Sequence, residues 1–267
     1  MPTYVHGYSH RESQRLADQA GTLTDLLHHD TAYPAGSRVL EAGCGVGAQT
    51  LTLSRSSPTA RFECLDIAAD SLAAARRMAA DEQLSNVTFR QGDICQLPYG
   101  DGRFDHVFVC FVLEHLTDPP RALEEARRVL APGGSLTVIE GDHGSYYCHP
   151  RSRAADRAVQ CLVEVQARSG GDALIGRRLY PLLTDAGFTD VAVSPRMVYV
   201  DASRPALVDG FTRKTFTAMV EGVKDQALAL GLIDEATFDS GIADLYRSTR
   251  SDGTFCYTFF KAVGIRP

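Results

Sequence analysis

An apolar strand, Val39-Leu40, that runs into glycines at positions 43, 45 and 47 constrains this chain more than any other feature. Glycines at that spacing let a backbone turn sharply and approach a ligand, with the N–H groups of the following helix facing it. Glu41 precedes the first glycine, and Asp66 ends the next apolar run, residues 60–65. Two acids at successive strand ends beside such a turn point to a nucleoside-type cofactor over the carboxyl edge of a parallel sheet. A nicotinamide dinucleotide uses a similar turn, with an acid about 20 residues on for the ribose.

The pattern around the turn predicts alternating strands and helices. Strands are expected at 38–42, about 61–66, 86–91, 104–112 and 135–140. The fourth is nearly all apolar, as a strand buried on both faces should be. A helix is expected from about Gly47 to Ser54, and a second, carrying Leu72, Ala75 and Met78, is capped by Asp70. A third starts at Asp118-Pro-Pro, turns Leu123, Ala126, Val129 and Leu130 inward, and stops at Pro132-Gly-Gly134. Upstream, Ser9 and Glu12 form a capping box ahead of Leu16, Ala20, Leu23 and Leu27 at helical spacing.

After residue 141 the rhythm changes. Helical stretches at about 151–168 and 172–186, parted at Gly170-Gly171, come before a strand at 191–200. A helical block at about 205–249, with Leu207, Phe211, Phe216, Met219, Val220 and Val223 as its apolar stripe, comes before an aromatic strand at 254–263. The expected fold is α/β: a doubly wound, Rossmann-like, seven-stranded sheet with an antiparallel last strand, an N-terminal helix and a helical cap.

Length and charge narrow the class. At 267 residues the chain is one large domain or one domain with an insert. Net charge is -6 with acids and bases interspersed, which argues against a nucleic-acid partner. The seven cysteines are odd in number and form no Cys-x-x-Cys pair, as expected of free thiols in a reducing compartment. No apolar signal core opens the chain and no run reaches membrane-spanning length, so a cytoplasmic protein with no membrane partner is expected.

Five motifs in register, spanning about 38–140, resemble the class I S-adenosylmethionine-dependent methyltransferases, in particular the small-molecule branch related to the ubiquinone/menaquinone-biosynthesis enzymes. They are residues 39–47, Leu65-Asp-Ile67, Gln91-Gly-Asp-Ile94 with Leu97-Pro98, Phe104-Asp105 through Leu113-Glu-His115, and Leu130-Ala-Pro-Gly-Gly134. The resemblance implies that Gly43 and Gly45 bring the backbone to the methionine end of the cofactor, with Glu41 and Gln49 ordering or contacting it. Asp66 would accept both ribose hydroxyls, and Ile67 would pack on the adenine. Asp93 would accept from the adenine amino group, and Ile94 would offer its N–H to the ring. The Cys110 carbonyl would sit near the ammonium, and His115 would touch the cofactor or brace the sheet edge. The Gly92-Asp93 loop has no role in a nicotinamide site.

The implied division is an N-terminal helical lid (1–37), a cofactor-binding core (38–144, 187–200 and 254–267) and helical cap or substrate segments (145–186 and 201–253). The implied activity moves a methyl group from S-adenosylmethionine to an O, N or C atom of a small, partly apolar metabolite, leaving S-adenosylhomocysteine. Quinone-like, phenolic and isoprenoid acceptors all fit. Tyr8 is a candidate for closing the site over cofactor and acceptor. His143, just past the fifth strand, is the candidate general base, since a histidine titrates near neutrality; a loop-fixing role is its alternative. No metal is expected. A non-catalytic cofactor-binding protein and a nicotinamide oxidoreductase are the competing functions, and a homo-oligomer is compatible with either helical segment.

Overall fold

The computed structural model describes residues 22–267. Tyr8 and the Ser9–Glu12 capping box lie outside these residues. The N-terminal helix is described as α1 over 22–28, with Leu23 and Leu27 buried.

The strands form one mixed sheet. β1 (Arg38–Ala42) pairs in parallel with β2 (Arg61–Asp66) and β4 (Phe104–Cys110). β3 (Val87–Gln91) lies beyond β2, and β5 (Leu130–Gly141) beyond β4, both also parallel. The chain thus reverses its winding beside β1, where doubly wound sheets open a crevice at their carboxyl edge. β8 (Thr254–Ile265) runs antiparallel to β5, and β7 (Thr189–Val200) runs antiparallel to β8. A three-residue β6 (Tyr147–His149) pairs with the start of β8 and makes the strands among the described residues eight rather than seven. It is too short to show an alternating pattern.

Helices cover both faces. α2 (Ala48–Ser56) and α3 (Ala69–Asp81) share a core with α1, through Leu53, Leu72, Phe62 and Phe108. α4 (Pro119–Val129) and α6 (Leu179–Asp185) bury Leu123, Val129, Leu179 and Leu183 against the opposite face. Asp118 caps α4 as expected, accepting the Arg121 N–H at 3.1 Å. Asp70 does not cap α3. It sits in the first turn, because the helix begins at Ala69; Asp66 accepts the Ala68 N–H at the entrance, at 2.9 Å. Pro132-Gly-Gly134 stops no helix: α4 ends one residue earlier than the apolar pattern predicts, and Leu130 turns extended to begin β5.

The helical block after β7 contains a surprise. α7 (Pro205–Leu207) runs through π-helical turns, Val208–Thr217, into α8 (Ala218–Glu221). Phe211 and Phe216 are five residues apart, a spacing that suits i→i+5 bonding better than an α-helix. Thr215 Oγ1 reinforces it by donating to the Gly210 carbonyl at 2.8 Å. Both rings pack against β8: Phe216 lies 4.8 Å from Phe255 and Phe211 5.7 Å from Phe259, between centroids. α9 (Lys224–Ala229) and α10 (Glu235–Arg247) follow. α10 crosses α5 (Arg153–Arg168) closely, since a side chain at Gly241 would meet the Ala154 carbonyl at 2.5 Å.

Candidate active site

The glycine turn departs from ordinary backbone at all three glycines, with φ of 85°, 51° and 85° at 43, 45 and 47. They serve different ends. A Cβ on Gly43 would meet Val112 at 2.4 Å, and one on Gly47 would meet Met78 at 2.5 Å. A Cβ on Gly45 would meet nothing within 4 Å. The outer glycines therefore allow packing, and the middle one presents bare backbone to open space.

Asp66 stands beside that opening. Its Oδ2 accepts the Gly45 N–H at 2.8 Å, and burial pushes its pKa up against the pull of these backbone donors. Ile67 follows with 47% of its surface exposed, a large apolar side chain left as a shelf. Asp93 is exposed on the loop after β3, with Oδ1 accepting the Cys95 N–H at 2.8 Å. Ile94 is buried among Leu65 and Leu97, so its side chain belongs to the core. Gly45, Asp66, Ile67 and Asp93 thus lie along one edge, and an exposed apolar shelf between two carboxylates fits a nucleoside.

Glu41 and Gln49 support the turn from behind. Glu41 is buried and accepts from Thr50 Oγ1 at 2.6 Å, which ties β1 to the first turns of α2. Burial raises its pKa to about 7, with Asp66 adding to the rise. Gln49 Oε1 accepts from His28 Nε2 of α1 at 2.7 Å. Burial depresses His28 to about 4, so the imidazole is neutral. His28 carries no motif, and sequence reasoning missed it.

The other half of the site is the exit of β4 and β5. Cys110 is buried at the last position of β4. Phe111 follows in the left-handed region, φ 57°, an uncommon conformation for a large side chain and one that concentrates at functional sites. Its ring lies 5.6 Å from Phe259. Glu140, fully buried near the end of β5, holds this exit in place: Oε1 accepts the N–H groups of Val112 at 3.0 Å and Leu113 at 2.7 Å. An acid ending a buried apolar strand was its only signal in the sequence.

His143 is brought to the same edge, but inward. It is 4% exposed, and Nδ1 lies 2.7 Å from the Tyr257 hydroxyl. The neighbouring Asp142 is also buried and takes both arms of Arg177 at 2.8 Å each. His115 ends a 3₁₀ turn, Leu113–His115, directly after the β4 exit. Among the described residues no group of three or more His, Cys, Asp or Glu side chains is placed to hold a metal ion. All seven cysteines are free. No helix among the described residues is long and apolar enough to cross a membrane.

Comparison with known proteins agrees with this layout. A family model for a methyltransferase domain matches residues 40–138. An uncharacterized 37.1 kDa protein of a Streptomyces fradiae transposon is 36% identical over 217 residues, 80% of this chain and 61% of that protein. The demethylmenaquinone methyltransferase of Thermus thermophilus is 41% identical over 106 residues, 40% of this chain and 48% of that one. A solved phosphoethanolamine N-methyltransferase 2 of Haemonchus contortus shares the fold at a TM-score of 0.57 and 16% identity, covering 94% of this chain and 52% of that one. The chain therefore spans less than two thirds of the length of these relatives. The methyltransferase-domain match over residues 40–138, the motifs and the strand order together support a class I S-adenosylmethionine-dependent methyltransferase core. Within that class its matched core is similar to the menaquinone-biosynthesis enzymes.

Proposed function

We propose that this protein transfers the methyl group of S-adenosylmethionine to an O, N or C atom of a small, partly apolar metabolite. The observation that carries this is the bare face of Gly45, held by hydrogen bond against Asp66 with Ile67 exposed beside it. In this assignment Asp66 accepts from the ribose hydroxyls, using lone pairs that its backbone donors leave over. Ile67 and Asp93 take the adenine, and the Cys110 carbonyl faces the methionine ammonium. Glu41, Gln49 and His28 hold the turn rigid without touching the ligand.

The sulfonium supplies an already activated methyl group. This chain's residues then have to hold the acceptor roughly 3 Å from that carbon, in line, and keep water away. The aromatic cluster of Phe111, Phe211, Phe216, Tyr257 and Phe259 adjoins the β4 exit and supports an apolar acceptor of the quinone-like, phenolic or isoprenoid kind. The 205–249 helices, packed on β8 through these rings, act as its cap.

Calorimetric titration with S-adenosylmethionine, S-adenosylhomocysteine and NAD in parallel tests the cofactor assignment. Micromolar binding of the first two and none of NAD supports it; binding of NAD alone overturns it. A screen of phenols, quinols and prenyl alcohols with methyl-labelled cofactor then identifies the acceptor.

A further inference from the structure

Glu114 lies between two histidines that come from different strands. Its Oε1 is 3.5 Å from Nε2 of His115, and its Oε2 is 3.7 Å from Nε2 of His143. One imidazole follows β4 and the other follows β5. Only the folded sheet edge brings them to one carboxylate.

The backbone of Glu114 is held at two bonds and its carboxylate at one. Gln166 Nε2 donates to Glu114 Oε2 at 3.2 Å and to its carbonyl at 2.9 Å, and the Asp172 N–H donates to the same carbonyl at 2.8 Å. His143 is pinned in turn by Tyr257, at 2.7 Å. Exposure rises outward along the chain: the His143 side chain is 6% exposed, Glu114 10% and His115 18%. His115 is therefore the most accessible of the three.

We propose that Glu114 is a positioning residue that joins His115 and His143 into one proton-holding unit at the acceptor edge of the sheet. This rests on the assignment of that edge to the methyl acceptor. It deepens the assignment by naming the acceptor's chemistry: an oxygen or nitrogen that carries a proton. As the acceptor's lone pair bonds to the methyl carbon, the carbon–sulfur pair leaves with sulfur, and the acceptor's proton passes to the His115 imidazole. The imidazolium charge is then balanced by the Glu114 carboxylate, with His143 able to share the proton through it.

The surrounding charges agree. Glu140 is the other buried carboxyl facing Glu114, and burial first, then Glu114 itself, pushes its pKa well above the usual range. A charge on Glu140 is thereby disfavoured. Tyr257 and Cys110 also face these carboxylates and are pushed well up, chiefly by burial, so both stay neutral. Asp142 faces Tyr257, and its charge is matched by Arg177.

Ring-nitrogen NMR of the full chain labelled with ¹⁵N-histidine tests the unit without cofactor or acceptor, titrated across neutrality. Resonances are assigned from single His→Gln variants. In Glu114→Gln the midpoints of both His115 and His143 should fall by about one pH unit or more, a tenfold loss of proton affinity. Glu114→Asp, which keeps the charge, should restore most of the shift; Glu114→Ala replaces the glutamine variant if that does not fold. Tyr257→Phe should move His143 and leave His115 in place. Unchanged midpoints in Glu114→Gln would overturn the proposal. Calorimetry reads cofactor binding and this titration reads ring protons, so either can fail without the other.

Discussion

Asp66 Oδ2 accepts the Gly45 N–H at 2.8 Å, so the acid that ends β2 also holds the glycine turn that follows β1. The same carboxylate takes the Ala68 N–H at the entrance to α3. One side chain thus organises the crevice and is left in position for a ligand. Asp66→Ala should cost about 1–3 kcal/mol of stability, because two backbone donors lose their acceptor. It should also weaken S-adenosylhomocysteine binding at least tenfold. Urea denaturation and calorimetry check the two effects, and full affinity in the variant would remove Asp66 from the ribose.

The glycines of the turn should separate stability from binding. Gly45→Ala meets no neighbour and incurs only the left-handed backbone cost, about 1–2 kcal/mol. It places a methyl group where the cofactor should lie, so affinity should fall steeply. Gly47→Ala incurs the same cost and also drives a carbon into Met78. Its melting temperature should drop further. If Gly45→Ala bound S-adenosylhomocysteine as well as the parent, the open face would not be the ligand's.

Two buried groups give stability opposite slopes with pH. His28 has a folded pKa of about 4 against 6.5 when unfolded. Its contribution is present above about pH 6.5 and is lost as pH falls toward 4, about 3 kcal/mol in full. Glu41 has a folded pKa of about 7 against 4.5. Its contribution is present below about pH 4.5 and is lost as pH rises through 7, by a similar amount. Denaturation midpoints across this range should show both limbs. His28→Gln should flatten the acid limb and Glu41→Gln the neutral one; a limb that survives its variant belongs to another group.

Asp30 is shared by two cations that attach the α1 end to the sheet. Lys261, only 4% exposed, donates to it at 2.6 Å, and Arg196 at 2.5 Å. Asp30→Asn leaves two positive groups facing each other, one of them buried. The expected cost is about 2–3 kcal/mol, below that of a fully buried pair because the Asp30 side chain is itself 45% exposed. A urea series in low and high salt reads it; a loss under about 0.5 kcal/mol would mean that water solvates the cluster.

Several features of the site were legible because they are local. The glycine turn, Asp66 at a strand end and Asp118 at a helix start each depend on the few residues around them. Other features were not, because their partners lie far apart in the chain. Asp70 resembles a helix cap until the fold shows the helix starting one residue before it, at Ala69. Phe211 and Phe216 read as ordinary helical stripe residues, and only the packing against β8 selects the π-helical turns.

The sequence by itself therefore determined the alternating α/β order, the cofactor crevice and its class, since backbone turns and strand periodicity are written in adjacent residues. The tertiary structure decided the side-chain contacts at the carboxyl edge of β4 and β5. It set Glu140 against the N–H groups of Val112 and Leu113, Tyr257 against His143, and Glu114 between two imidazoles. These contacts exist only where parallel strands end side by side and β8 returns beside β5. A buried carboxyl acquires its partners, and with them its charge, from that juxtaposition and from no neighbour in sequence.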